Sequence, residues 1–367
     1  MSKETLSKFF ASIFVLFVSP FIGEGLSCST PFLEMINPIN FILLMMLYGF
    51  GALITRELTL RWQTKSYAFL TLIFLGLAYG CIEEGLFLMS FFNPEWGDLG
   101  DFQYYGRVMG VNWTWAVFLA IFHMVFSIIV PIVFAHFTFP TIKEEKWLPN
   151  YLLIIFIVLF FLGGGVWIFF VYTDFGYLPG ILEYLLCLFV TILLILLARF
   201  VPNNFLEDQN RRFLSSDSTY STQESYPTPT NENKSTKNLF LFSGSLFIAS
   251  FLWGLFFFIG GYLFSSNKVH PTIPIFFQIG LTLLLLALLI LSIRNKTPNN
   301  SVLLFFSMLG AYSFLYFFHL LIADLISKIA YGILGMGLVF LVFLLHYIFS
   351  KKSENIAGVT PTIITDE

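Results

Sequence analysis

Charge is what this chain most lacks. Only 11% of its 367 residues are Asp, Glu, Lys or Arg, against about 25% in soluble domains, while 57% are hydrophobic. A water-soluble fold cannot hide that much apolar surface. Cysteine is scarce too: Cys28, Cys81 and Cys187 are too few and too scattered for a disulfide framework or a zinc ribbon. A net charge of −3 without a basic cluster excludes a nucleic-acid partner. His-Glu-x-x-His and Gly-x-Ser-x-Gly are both missing, so neither signature hydrolase motif is present. No internal repeat divides the chain into matching halves.

What is present is length of apolar run. A helix crosses a bilayer with about 20 apolar residues, and ten runs qualify, at 9–25, 39–55, 68–92, 113–137, 150–172, 178–199, 239–263, 272–293, 301–322 and 330–349. The runs are continuous rather than alternating, which predicts an all-α polytopic bundle and not a barrel. With the N-terminus inside, sixteen of the 19 basic residues fall on the cytoplasmic side, and only Arg107, Lys268 and Lys328 fall outside. Retention of basic residues in the cytoplasm therefore predicts a multi-pass protein of the cell membrane with both termini cytoplasmic. Lys3 and Lys8 before the first run resemble a secretory signal, and Leu26-Ser27-Cys28 hints at a lipoprotein signal. Gly25 stands where such a signal wants a large aliphatic residue, and the charge alternation requires the first run as a span.

The one long polar stretch, 201–238, is rich in Ser, Thr and Pro and predicts a disordered cytoplasmic linker. It separates a six-helix unit, 1–200, from a four-helix unit, 239–350, followed by a tail, 351–367.

An ionisable residue inside the hydrocarbon is a functional candidate by default, because its burial costs a few kcal/mol on insertion scales. Glu83-Glu84 lie about 12 Å below the outer end of the third run, and His123 about 16 Å below the outer end of the fourth, at 1.5 Å per residue. A short outer loop joins these runs. Gly76, Gly80 and Glu83 share one helix face, and Asn112, Ala116, Ala120, His123 and Ser127 line another with small and polar groups. These stripes predict a packed polar site in the outer half. Glu24, Asp174, Glu183, His319 and Asp324 lie at the outer ends of other runs, His136 and His346 near the inner ends, and His270 in an outer loop. The acidic segment 93–101 is a candidate lid or cation attractor.

Glu83-Glu84 in one span and His123 in the next resemble the first two motifs of the CAAX-prenyl-protease-like and Abi superfamily of intramembrane metalloproteases. The resemblance covers the third and fourth runs. It implies that Glu84 and His123 are metal ligands, zinc being the expected ion, that Glu83 is a general base, and that His319 supplies a third motif. The expectation is an intramembrane metal-dependent hydrolase acting on a membrane peptide. The alternatives are a proton- or cation-coupled secondary transporter carrying a small ion, and a non-catalytic membrane scaffold whose polar groups only bond one another.

Overall fold

A computed structural model describes residues 2–62, 68–200, 229–263, 269–294 and 300–357. Among them are ten helices long and apolar enough to span a membrane: α1 (Glu4–Gly25), α2 (Pro38–Trp62), α3 (Phe69–Phe87), α4 (Trp113–Thr138), α5 (Asn150–Phe175), α6 (Ile181–Phe200), α7 (Leu239–Gly261), α8 (Thr272–Ser292), α9 (Asn300–Ile322) and α10 (Leu325–Ser350). The expected all-α polytopic bundle is what forms. Helices satisfy every backbone group internally, which lipid demands. Local sequence sets their ends: Asn37 accepts from Ile39 N at 3.0 Å with Pro38 next, and Gly176, at φ 61°, closes α5.

The centre is α4, with 89% of its apolar window buried, against 22% for α5 and 17% for α6 and α10. Its phenylalanines reach both halves of the chain. Phe126 packs on Trp253 of α7 and Phe134 on Phe305 of α9. Helices α7 and α9 approach closely at Gly310, where a Cβ would meet the Phe247 carbonyl oxygen at 2.1 Å.

The start of α1 and the end of α10 meet at one face. There Lys8 pairs with Glu145 at 2.7 Å, and Phe349, near the end of α10, packs on Phe139. We call this the terminal face and the opposite one the distal face. A buried staple closes the terminal face. Arg56 donates to Glu57 Oε1 (2.6 Å), His136 Nε2 (3.2 Å) and the carbonyls of Lys143 (3.0 Å) and Glu145 (2.7 Å), and its guanidinium lies 3.4 Å from the Trp147 ring centroid. Trp147 N completes the arrangement by donating to Glu57 Oε1 at 2.9 Å. Every charge in this pair is hydrogen-bonded, the condition under which a buried pair persists.

Several boundaries differ from the sequence reading: α1 begins at Glu4 and not 9, and α10 at Leu325 and not 330. Helix α2 continues to Trp62, because the Arg56–Glu57 staple shelters charge that hydropathy alone would expel. Helix α3 ends at Phe87, not 92, since Met89 turns the chain with φ 56°. Residues 201–228 of the expected linker lie outside the described residues, whereas 229–238 are helical, opening a helix that runs Pro229–Leu263. The tail beyond Ala357 also lies outside them.

Candidate functional site

Four π-helical turns converge on the distal half of the bundle: Phe21–Gly25 in α1, Met45–Gly49 in α2, Cys81–Phe87 in α3 and His123–Ile129 in α4. Their bonds span five residues, as in Leu26 N to Phe21 O (3.0 Å) and Leu88 N to Glu83 O (2.8 Å). Each turn carries an extra residue, which rotates the side chains that follow and is a frequent feature of functional sites. Here the four turns carry Glu24, Tyr48, Glu83 with Glu84, and His123 with Ser127.

Glycine lets these helices meet. A Cβ on Gly80 would stand 2.9 Å from Ala120 Cα, and one on Gly76 would stand 2.9 Å from Met124 Cγ. The glycine face of α3 is thus pressed against the small-residue face of α4, which brings Glu83, Glu84 and His123 together. A Cβ on Gly23 of α1 would lie 2.7 Å from both Ser127 Oγ and Tyr48 Cε1, so α1 closes the third side.

The resulting cluster is small and buried. Ligand atoms of Glu83, Glu84 and His123 all lie within 4.8 Å of one another, and the three residues are buried. His123 Nε2 donates to Glu84 Oε1 at 2.9 Å, and Nδ1 lies 3.0 Å from Ser127 Oγ and 3.0 Å from Glu83 Oε2. Glu84 Oε2 accepts from the Ser90 hydroxyl, which in turn accepts from Trp115 Nε1 at 3.3 Å. Glu83 differs from its neighbour: it is 0% exposed, yet neither carboxylate oxygen has a well-formed hydrogen bond. A buried carboxylate in that condition costs several kcal/mol unless a cation or proton meets it.

Burial comes from the loop as much as from depth. Glu84 sits only three residues before the end of α3, and the chain from Leu88 folds back over it, with Met89, Ser90, Phe91 and Phe92 all buried. Asn112 anchors this cover: it caps α4 by accepting from Trp115 N (3.1 Å) and donates to the Phe102 carbonyl (2.6 Å). Burial, and secondarily the Glu84 carboxylate, raise the pKa of Asp98 in the acidic loop, so that loop lies within the field of the site. Beside the cluster, between α3, α4 and α6, a cavity of about 220 Å³ is lined by Cys81, Ala116, Ala120, Glu183 and Cys187 among apolar residues.

The other candidates scatter. Glu24 joins the neighbourhood: it accepts from Tyr48 OH at 2.6 Å and from Thr30 Oγ1 at 2.8 Å, and the Tyr48 ring stands 5.9 Å from the His123 ring. His319, the expected third ligand, lies outside the three-residue group and faces Cys28 instead. Asp324 caps α10, accepting from Ile326 N and Ser327 N at 3.0 Å each. His136 belongs to the Arg56 staple, His346 donates to the Phe137 carbonyl at 2.6 Å, His270 bonds Thr272, and Asp174 is exposed. The sequence reading missed Ser19, whose hydroxyl lies 2.6 Å from the Ser127 carbonyl and 3.1 Å from that of Tyr48. It also missed Tyr48 and Ser90. An uncharged hydroxyl inside an apolar run leaves no signal in hydropathy or charge.

The fit of a metal to this set can be judged from its donors. One imidazole and two carboxylates with an open position match a catalytic zinc or a similar divalent ion, and the Glu83 carboxylate, without a well-formed hydrogen bond, is what such an ion would meet. A family model described as an uncharacterized membrane protein family matches residues 13–215, more than half of the chain and all of this cluster. No curated protein and no solved structure matches the chain.

Proposed function

We propose, for this chain that belongs to the uncharacterized membrane protein family, that Glu83, Glu84 and His123 form an intramembrane metal-dependent hydrolytic centre. One observation carries the reading: three side chains able to ligate a metal meet within 4.8 Å, all buried, and one of them, Glu83, makes no well-formed hydrogen bond and has His123 Nδ1, 3.0 Å from Oε2, as its ionic neighbour. The likeness of these residues to the first two motifs of the CAAX-protease-like superfamily agrees with it. His123, Glu84 and one oxygen of Glu83 would hold the ion, zinc in the first instance. A bound divalent ion supplies Lewis acidity that polarises a carbonyl and acidifies water.

The chain's own groups do the rest. Ser90 fixes Glu84 by bonding its second oxygen, and Ser127 fixes the His123 ring through Nδ1, as second-shell partners orient ligands. The other oxygen of Glu83 can take a proton from water and return it to a leaving amine. The cover formed by residues 88–112 excludes bulk water, and the apolar cavity beside Ala116 and Ala120 offers room for a substrate side chain from a membrane peptide. His319 has no part in this arrangement. Metal analysis of wild type and His123→Ala tests the site, followed by cleavage of a fluorogenic transmembrane peptide with and without chelator.

A second reading rests on Glu24 and Tyr48. They form a polar path from the half-buried outer end of α1 toward His123, as a proton- or cation-coupled carrier requires. Proton uptake in vesicles, abolished by Glu24→Gln, would favour it over hydrolysis. On either reading the basic-residue asymmetry supports a cytoplasmic terminal face, with chain positions 1–200 and 239–350 as the proposed six- and four-helix units.

A further inference from the structure

The pair formed by Cys28 and His319 stands apart from the Glu–His cluster and from the Arg56 staple. Cys28 Sγ lies 3.1 Å from His319 Nδ1, although 291 residues separate them in sequence. His319 Nε2 lies 3.3 Å from the Ser327 carbonyl. A carbonyl only accepts, so in the tautomer protonated at Nε2 the Nδ1 lone pair faces the thiol, and the Gly25 and Leu26 carbonyls flank the ring. Nucleophile, base and a group orienting the base are therefore in line, the arrangement that activates a weak nucleophile. Tyr331 holds the imidazole from the side, its ring 5.1 Å away and nearly perpendicular.

Two further observations concern Cys28. Its φ is +69°, a left-handed conformation that costs a non-glycine residue of order 1 kcal/mol and persists where the surroundings over-determine it. It is also partly exposed, whereas Cys81 and Cys187 are buried and lie against the cavity between α3, α4 and α6. It lies just beyond Gly25, the end of α1, which is the depth of the interfacial layer between hydrocarbon and water. Ester carbonyls of membrane lipids sit in that layer.

We infer that Cys28 and His319 form an acyl-accepting site that takes an ester-linked acyl group at the membrane boundary. In the step, the Cys28 S–H proton passes to His319 Nδ1 as the sulfur electron pair forms a bond to the acyl carbonyl carbon. The C–O bond to the alcohol then breaks, and the departing oxygen takes the proton from the imidazolium. S-acyl-Cys28 and a free alcohol result, with His319 neutral again. Burial pushes the resting thiol up to about 11, so at neutral pH the thiolate forms only as its proton moves to the imidazole.

The test uses the full chain in two settings, in mild detergent with p-nitrophenyl butyrate and in vesicles of diacyl phosphatidylglycerol, with adducts located by peptide mass spectrometry. A butyryl group on Cys28 in the first setting, or a fatty acyl group on it in the second, supports the site and identifies a small ester or a lipid as the source. No Cys28 adduct in either overturns it. His319→Gln should slow acylation at least roughly tenfold, as loss of a general base does; an unchanged rate in a variant of unchanged melting temperature also overturns it. If that variant does not fold, the wild-type pH profile decides. A rate that levels off above the imidazole range supports the dyad, and one that keeps climbing with thiol ionisation refutes it.

Discussion

Replacing Glu83 by glutamine should make the metal-free protein more stable and the metal-loaded protein relatively less so. The wild-type carboxylate is 0% exposed and makes no well-formed hydrogen bond, with His123 Nδ1 3.0 Å from Oε2 as its one ionic contact, a condition that costs about 1–3 kcal/mol, and more when the group is charged. Glutamine keeps the shape and removes the charge, so with a chelator present the variant should gain about 1–3 kcal/mol. A ligand bound only by the folded state adds about 2.7 kcal/mol at a hundred times its dissociation constant. Wild type should gain that with zinc, and the variant, short of one oxygen-anion donor, little of it. The order of the two melting curves should then close or invert. Thermal unfolding in detergent followed by tryptophan fluorescence reads this, at no more than about 2–4 °C per kcal/mol for a chain of this size. A Glu83→Gln variant less stable than wild type in chelator would refute the reasoning, because it would mean that the protein itself already satisfies Glu83.

Further outcomes follow from other parts of the molecule. Arg56→Met should lower unfolding stability by about 1–3 kcal/mol, since it takes the 2.6 Å partner from buried Glu57 and leaves Arg61 at 3.3 Å and Trp147 N at 2.9 Å, and denaturant titration in detergent measures it. Gly80→Val should cost about 1–3 kcal/mol by overpacking and weaken zinc binding, because its Cβ would meet the Ala120 backbone at 2.9 Å; Gly244→Ala, with nothing within 4 Å, should leave binding unchanged. Asp98 has its pKa raised, first by burial and then by Glu84. A raised folded-state pKa gives stability that is present below the unfolded carboxylate range and is lost as pH rises through the folded value. Asp98→Asn should therefore be neutral near pH 3 and stabilising near pH 7, as melting curves at the two pH values would show.

Much of the architecture was legible because lipid enforces it. A run of about 20 apolar residues has few alternatives to a helix, so all ten spans could be placed. The meeting of Glu83, Glu84 and His123 was legible for a similar reason: two helices joined by a short loop are neighbours, and the Gly76–Gly80 stripe showed which faces would touch. Depth along the membrane follows from counting residues, but lateral position does not. His319 lies at a depth that suited a third ligand, yet α9 delivers it to Cys28. The π-turns were invisible, since a one-residue change in hydrogen-bond register leaves the hydropathy of a span untouched. The Arg56–Glu57 staple was read only as topological charge, because its partners, His136, Trp147 and two backbone carbonyls, assemble about 90 residues away in sequence.

The central claim is that Glu83, Glu84 and His123 bind a metal. Elemental analysis of the full chain, purified in mild detergent, incubated with zinc and washed, compares wild type with His123→Ala. The account predicts about one zinc per chain in wild type, the stoichiometry of a three-ligand catalytic site, and its loss in the variant. No zinc in either protein, or zinc retained in His123→Ala, would contradict it.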